Sequence, residues 1–224
     1  MTTTLLLARL LIAVLTIGVW MLPGAAQAFD AAQARQVAER MTADPAWMRV
    51  YAACPVDLPR KRAPKLPIDD DPSAESCGGA PLGCFEACKA GSGAHCFHLA
   101  RAYQVDKSLA PRIWEQLFAA ACGAGYAAGC TNRAAGIRNG GYADDPFRRR
   151  SAAARQSCEL RSFARACAGE DAWGCAMLGQ AYRYGEGAPR SRTKARRAYA
   201  RACSLAPDSE PCDFAQDSQK RLDR

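Results

Sequence analysis

Four cysteine pairs at a nearly constant spacing constrain this chain more than any other feature. Cys88 and Cys96, Cys122 and Cys130, and Cys167 and Cys175 each enclose seven residues, and Cys203 and Cys212 enclose eight. The first members recur at intervals of 34, 45 and 36 residues (positions 88, 122, 167 and 203), the period of a helix-turn-helix solenoid with one insertion. The repeat extends beyond sulfur. Ala87, Ala121, Ala166 and Ala202 each precede the first cysteine, and Phe118, Phe163 and Tyr199 lie four residues before it, so cysteine and aromatic share one helix face. After the second cysteine, Leu99 and Leu178 stand at plus three, Ala100, Ala134 and Gly179 at plus four, and Tyr103, Ile137 and Tyr182 at plus seven. That pattern describes a second helix with a close-packed small position.

Breakers separate these helices: Asp106 to Pro111, Asn139-Gly140-Gly141 with Asp145-Pro146, and Gly185-Glu186-Gly187 with Pro189. Each unit therefore reads as helix A, turn, helix B, the second unit carrying a lengthened B helix from Pro146 to Cys167. The segments KAGSGAH, GAGYAAG and AGEDAWG connect each B helix to the next A helix. A disulfide needs Cα atoms about 4.4 to 6.8 Å apart, which cysteines flanking a tight corner between antiparallel helices can satisfy. The spacing thus predicts bridges from Cys88 to Cys96, Cys122 to Cys130, Cys167 to Cys175 and Cys203 to Cys212. The expected fold class is all-α, an αα-superhelix of disulfide-linked helix-turn-helix repeats.

The stretch from Ala164 to Cys203, ARACAGEDAWGCAMLGQAYRYGEGAPRSRTKARRAYARAC, resembles a Sel-like repeat: an alanine-rich A helix with LG..Y, a G.G turn, and a KA..Y..AC helix. Its cysteine placement is similar to that of the secreted cysteine-rich subfamily. The resemblance covers roughly residues 84 to 212 and implies a right-handed αα-superhelix related to tetratricopeptide arrays that mediates protein interactions. Two departures stand out: QVDKSLAP replaces the first G.G turn, and Arg133 occupies a position where leucine is expected.

Four cysteines lie outside the register. Cys158 is nine residues before Cys167 on the same expected helix and points away from its bridge, while Cys84 holds the place of Phe118, Phe163 and Tyr199 on a degenerate B helix from Leu82 to Ala90. Cys54, Cys77, Cys84 and Cys158 permit three pairings. Cys158 is expected to bridge back to one of the other three, clasping the N-terminal piece onto the array. Six of the 13 prolines fall within 55–83, so the expected organisation is a signal peptide at 1–28, an N-terminal helical segment at 29–54, a Pro-rich linker at 55–81 and a Sel-like repeat array with a C-terminal cap at 82–224.

The signal assignment rests on Arg9, the apolar run from Leu10 to Leu22, the Pro23-Gly24 break and the Ala26-Gln27-Ala28 cleavage site, with cleavage after Ala28. No further run of spanning length follows. A secreted or periplasmic monomer in an oxidising compartment is expected, consistent with an even cysteine count.

Charge bears on partners. Between Pro146 and Cys203 there are 13 Lys and Arg against four Asp and Glu, against a net of +8 for the whole chain. The stripe reads either as a solvated face or as a patch for an anionic partner, a protein or an envelope component. Nucleic acid is not expected, because no base-stacking motif accompanies the arginines. Arg148, Arg149, Arg196 and Arg197 on B helices, with Arg101, Gln104, Asn132, Arg138, Gln180 and Arg183 facing outward from A helices, are the candidate partner-binding residues. Ser191-Arg192-Thr193-Lys194 matches S-x-x-K, and members of the resembled subfamily carry penicillin-binding or β-lactamase labels, so that activity is the alternative. Neither S-D-N nor K-T-G follows, no C-x-x-C occurs, and the only histidines, His95 and His98, flank a cysteine committed to a bridge. No catalytic residue, metal or cofactor is expected.

Overall fold

The computed structural model describes residues 28–59 and 72–222. The signal-peptide reading, apart from Ala28, and the central part of the expected linker lie outside them. Among the described residues there are eleven α-helices and no strand. Helices α1 (Ala31–Ala43), α2 (Pro45–Ala52), α3 (Ala74–Gly79) and α4 (Pro81–Lys89) precede three antiparallel pairs. These are α5 (Gly93–Asp106) with α6 (Pro111–Gly123), α7 (Ala127–Arg138) with α8 (Ala152–Ala168), and α9 (Ala172–Tyr184) with α10 (Arg192–Leu205), after which α11 (Glu210–Lys220) closes the array.

Local chemistry sets the helix starts. Proline occupies the first turn of α2, α4 and α6, where its missing N–H has no intrahelical partner to lose. Side-chain oxygens of Asp30, Ser92, Ser151, Asp171 and Ser191 accept backbone N–H groups of the following turn.

The B-to-A corners share one construction. Gly91, Gly125 and Glu170, each three residues after the first cysteine, have left-handed φ of 109°, 97° and 66°. In each corner this residue donates to the carbonyl of the first cysteine, and the next residue donates to the alanine before it: Ser92 to Ala87, Tyr126 to Ala121 and Asp171 to Ala166. The corner reverses the chain with its carbonyls satisfied. Bridges Cys88–Cys96, Cys122–Cys130, Cys167–Cys175 and Cys203–Cys212 staple the corners at Cα separations of 4.7, 4.5, 4.4 and 4.4 Å.

Between helices of a unit, the small plus-four position permits close approach: a Cβ at Gly179 would stand 2.5 Å from the Tyr199 ring. The N-terminal half buries a continuous core of Met41, Trp47, Phe85, Leu99, Tyr103, Trp114, Leu117 and Phe118, with Trp47 and Phe85 stacked at 5.6 Å. The C-terminal half relies on Ala176, Ala195, Ala202 and Ala215 around Tyr199. Alanine brings helices close but buries little area per residue, so this half leans on its neighbours and on sulfur.

Two expectations need correction. The stretch 55–81 is not an extended linker where it is described. Pro55–Asp57 forms a 3-10 turn lying against α6 and α8, and Ala74–Gly79 is helix α3, tied to α4 by Cys77–Cys84. Pro55 and Pro81 start the 3-10 turn and α4 instead of preventing them, and Ser73 caps α3. The B helix expected from Pro146 to Cys167 is likewise interrupted: Pro146–Arg149 is a 3-10 turn, Arg150 is extended, and Ser151 caps a new start at Ala152. Asp145 and Ser151 each supply a capping oxygen, so two starts compete within six residues and both form.

The remaining bridge, Cys54–Cys158, spans 104 residues and joins the segment after α2 to α8. Around it, Arg150 donates to the Ala52 carbonyl at 2.7 Å, Arg165 to the Val56 carbonyl at 3.2 Å, and Arg161 pairs with both oxygens of Asp57. Residues 52–59 are thus a strap across α8. Closing so long a loop contributes roughly 4–5 kcal/mol in the chain-entropy model, whereas the exposed Arg161–Asp57 pair is worth at most about 1 kcal/mol. The double variant Cys54→Ser with Cys158→Ser should lose several kcal/mol in a denaturant titration, and Arg161→Ala less than about 1 kcal/mol. Equal losses would mean that the arginines and not the sulfurs hold the strap.

Candidate functional site

The A helices α5, α7 and α9 carry six of the candidate residues, and the structure joins only some of them. Arg138, at the end of α7, reaches across to α9, donating to Gln180 Oε1 at 2.7 Å and to Glu186 Oε2 at 2.5 Å in the turn beyond. Half-buried and committed to these bonds, Arg138 and Gln180 act as a strut between repeats. Arg101 donates to Gln104 within α5 at 2.6 Å, Asn132 donates to the Ala128 carbonyl, and Arg183 lies 4.9 Å from the Tyr184 ring centroid. Trp173 and Tyr184 on α9 are exposed, with Trp173 against Phe214 of α11 at 5.8 Å.

The basic stretch divides in two. Arg150, Arg161 and Arg165 hold the strap, Arg155 bonds the Arg150 carbonyl, Arg190 the Arg183 carbonyl, and Arg201 pairs with Glu170. The guanidinium of Arg161 holds the Asp57 carboxyl below its usual range. Arg148 and Arg149, in the 3-10 turn and not on a B helix, are exposed and bond no other described residue, and the same holds for Arg197 on α10. Arg196 is exposed beside it.

Nucleophile chemistry finds no support at Ser191. Its Oγ accepts the Lys194 backbone N–H at 3.3 Å as the cap of α10, while the Lys194 ammonium sits 5.3 Å over the Tyr182 ring. The serine and the lysine head group are used separately, and activation of a nucleophile requires them together. Cys96 lies in its bridge, and His95 Nδ1 shares a 2.7 Å hydrogen bond with Ser92 Oγ at the cap of α5.

No protein-family model matches the chain, and no curated protein matches it. Among solved structures it is similar to a Sel1 repeat protein from Oxalobacter formigenes, at 15% identity and a TM-score of 0.50, over 63% of this chain and 97% of that one. The fold is that of a Sel1 repeat protein. Cysteine rich protein B of Helicobacter pylori aligns at 19% identity and a TM-score of 0.46, over 63% of this chain and 96% of that one.

Within the array, the site that sequence reasoning passed over is Arg133. It is fully buried. Its Nη1 donates to Glu115 Oε2 at 3.0 Å and Asp145 Oδ2 at 2.6 Å, and its Nη2 donates to Asp145 Oδ1 at 3.0 Å and to the Tyr51 carbonyl at 3.1 Å. The guanidinium is sandwiched by Tyr51, 4.6 Å to the ring centroid, and Phe147 at 5.4 Å. One side chain thereby joins α2, α6, α7 and the loop before the 3-10 turn. Burial pushes the Glu115 carboxyl up to about 7, outweighing the pull of Arg133. The available signal was Arg133 itself: a charge at the plus-three place of Leu99 and Leu178 requires buried partners. At pH 8, Arg133→Met should cost about 3–5 kcal/mol by denaturant titration, because two carboxylates lose the one cation bonded to them among the described residues. Adding Glu115→Leu and Asp145→Asn should recover most of that loss, and a triple variant no better than the single one would show that packing, not charge, is what Arg133 supplies.

Proposed function

We propose that this chain is a secreted or periplasmic interaction module, not an enzyme: a disulfide-stapled Sel1-type scaffold that acts as a monomer, without cofactor, and binds a protein or other anionic component of the envelope. The observation that carries the reading is the division among the arginines. Arg150, Arg155, Arg161, Arg165, Arg190 and Arg201 are bonded within the chain, yet Arg148, Arg149, Arg192 and Arg197 are presented to solvent with no bond to another described residue. Six disulfides with no free cysteine suit an oxidising compartment. No described helix is long and apolar enough to cross a membrane. The A helices carry Arg101, Gln104, Asn132 and Arg183, and α9 adds the exposed Trp173 and Tyr184, polar and aromatic groups of the kind interfaces use.

Attraction of this kind is long-ranged and screened by salt, since the Debye length is about 8 Å at physiological ionic strength. Capture of a partner from the native envelope fraction, identified by mass spectrometry, should weaken as salt rises. It should weaken further in the variant combining Arg148→Glu, Arg149→Glu, Arg196→Glu and Arg197→Glu, with the disulfide map and helicity intact. Ser191→Ala should leave capture unchanged. Undiminished capture by the glutamate variant, together with nitrocefin hydrolysis that disappears in Ser191→Ala, would replace this reading with a β-lactam-directed activity.

A further inference from the structure

The buried centre contains two carboxylates and one guanidinium. Asp145 takes both Nη atoms of Arg133 and also accepts the Phe147 N–H, leaving Glu115 a single hydrogen bond from Nη1. Glu115 and Asp145 are 3% and 2% exposed, and Arg133 is not exposed at all. Glu115 is also pressed against α7, where a Cβ at Gly136 would stand 2.5 Å from its Oε2. With both acids ionised, the sealed centre carries one unbalanced negative charge. Arg133 of α7 and Asp145 of the loop are the charges acting on Glu115. The Tyr51 phenol of α2 and Asp144 of the same loop also face the centre, and Arg150 stacks on the Phe147 ring at 4.6 Å while donating to the Ala52 carbonyl.

We propose that this centre is a pH-sensitive latch for the N-terminal segment: a proton on Glu115 completes the charge balance and keeps α2 and the strap closed on the array, and losing that proton as pH rises loosens them. The mechanical link is the Tyr51 carbonyl, which receives its hydrogen bond from Arg133 three residues before Cys54. When the strap lifts, water reaches Glu115 and its affinity for the proton falls towards that of an ordinary carboxyl. A carboxyl that binds its proton more tightly when closed than when open stabilises the closed form fully below about 4.5, and that stabilisation is lost as pH rises through about 7. The module would therefore be tightest in mildly acidic surroundings.

The Cys54–Cys158 bridge reports opening, because its sulfurs belong to residues only 4% and 3% exposed. A phosphine reductant reaches them when the strap lifts, and peptide mapping measures how fast this bridge is cut in the intact oxidised chain. Glu115→Gln fixes the neutral form, and the ratio of wild-type to variant rates cancels the reductant's own pH dependence. That ratio should climb roughly tenfold or more between pH 5.5 and 8; a constant ratio overturns the latch. Glu159, on α8, is also pushed up to about 7 by burial, so Glu159→Gln serves as the control. The latch is overturned if Glu159→Gln removes the slope and Glu115→Gln keeps it. Should Glu115→Gln fail to fold, hydrogen exchange on the wild type decides. Corrected for intrinsic rates, protection of the α2 amides should fall from pH 5.5 to 8 while that of α10 holds, and equal protection of α2 at both pH values is the contrary result.

Discussion

The stapled left-handed corner between each B helix and the next A helix is the constraint on which the array depends. An αα-solenoid has only neighbour contacts, so an error in one crossing is passed to every unit beyond it. Here the crossing is fixed three times over by the backbone hydrogen bonds, the positive φ and the sulfur bridge. Glu170 shows how strong that demand is. It adopts the left-handed conformation that glycine takes in the two preceding corners, at a cost of roughly 1–2 kcal/mol that the surrounding geometry enforces.

Much of the array was legible because it repeats. Cysteine, aromatic and small positions recur unit after unit, so each contact is stated several times in the sequence. The same reasoning failed for contacts that occur once. Arg133, Arg150 and Arg165 all donate to main-chain carbonyls of the N-terminal segment, those of Tyr51, Ala52 and Val56. Every residue has a carbonyl, so no side-chain pattern marks which one an arginine will find. Proline counting misled for a related reason: it tracks composition over 55–81, whereas Pro55 and Pro81 act individually as helix starters. The break at Arg150 was hidden because Pro146 and Ser151 are each good beginnings for one continuous helix.

The strap also changes how the basic stretch should be understood. A run of arginines looks like a single electrostatic surface, but a guanidinium has five donors and a planar fork, which make it as useful for gripping backbone as for meeting a partner. On α8 the first use dominates, because the strap lies there; on α10 Arg197 is exposed and bonds no other described residue, and the charge stays in water.

The bridges also differ in when they can close. Those at the corners join cysteines eight or nine positions apart and can form as soon as one helical hairpin has emerged. Cys54 must instead stay unpaired while Cys77, Cys84, Cys88, Cys96, Cys122 and Cys130 pass, and meets Cys158 only after the second repeat has appeared. Each of those six is a wrong acceptor available earlier than the right one. Oxidative maturation of this chain therefore has a built-in order, and a disulfide isomerase would find its principal substrate at Cys54.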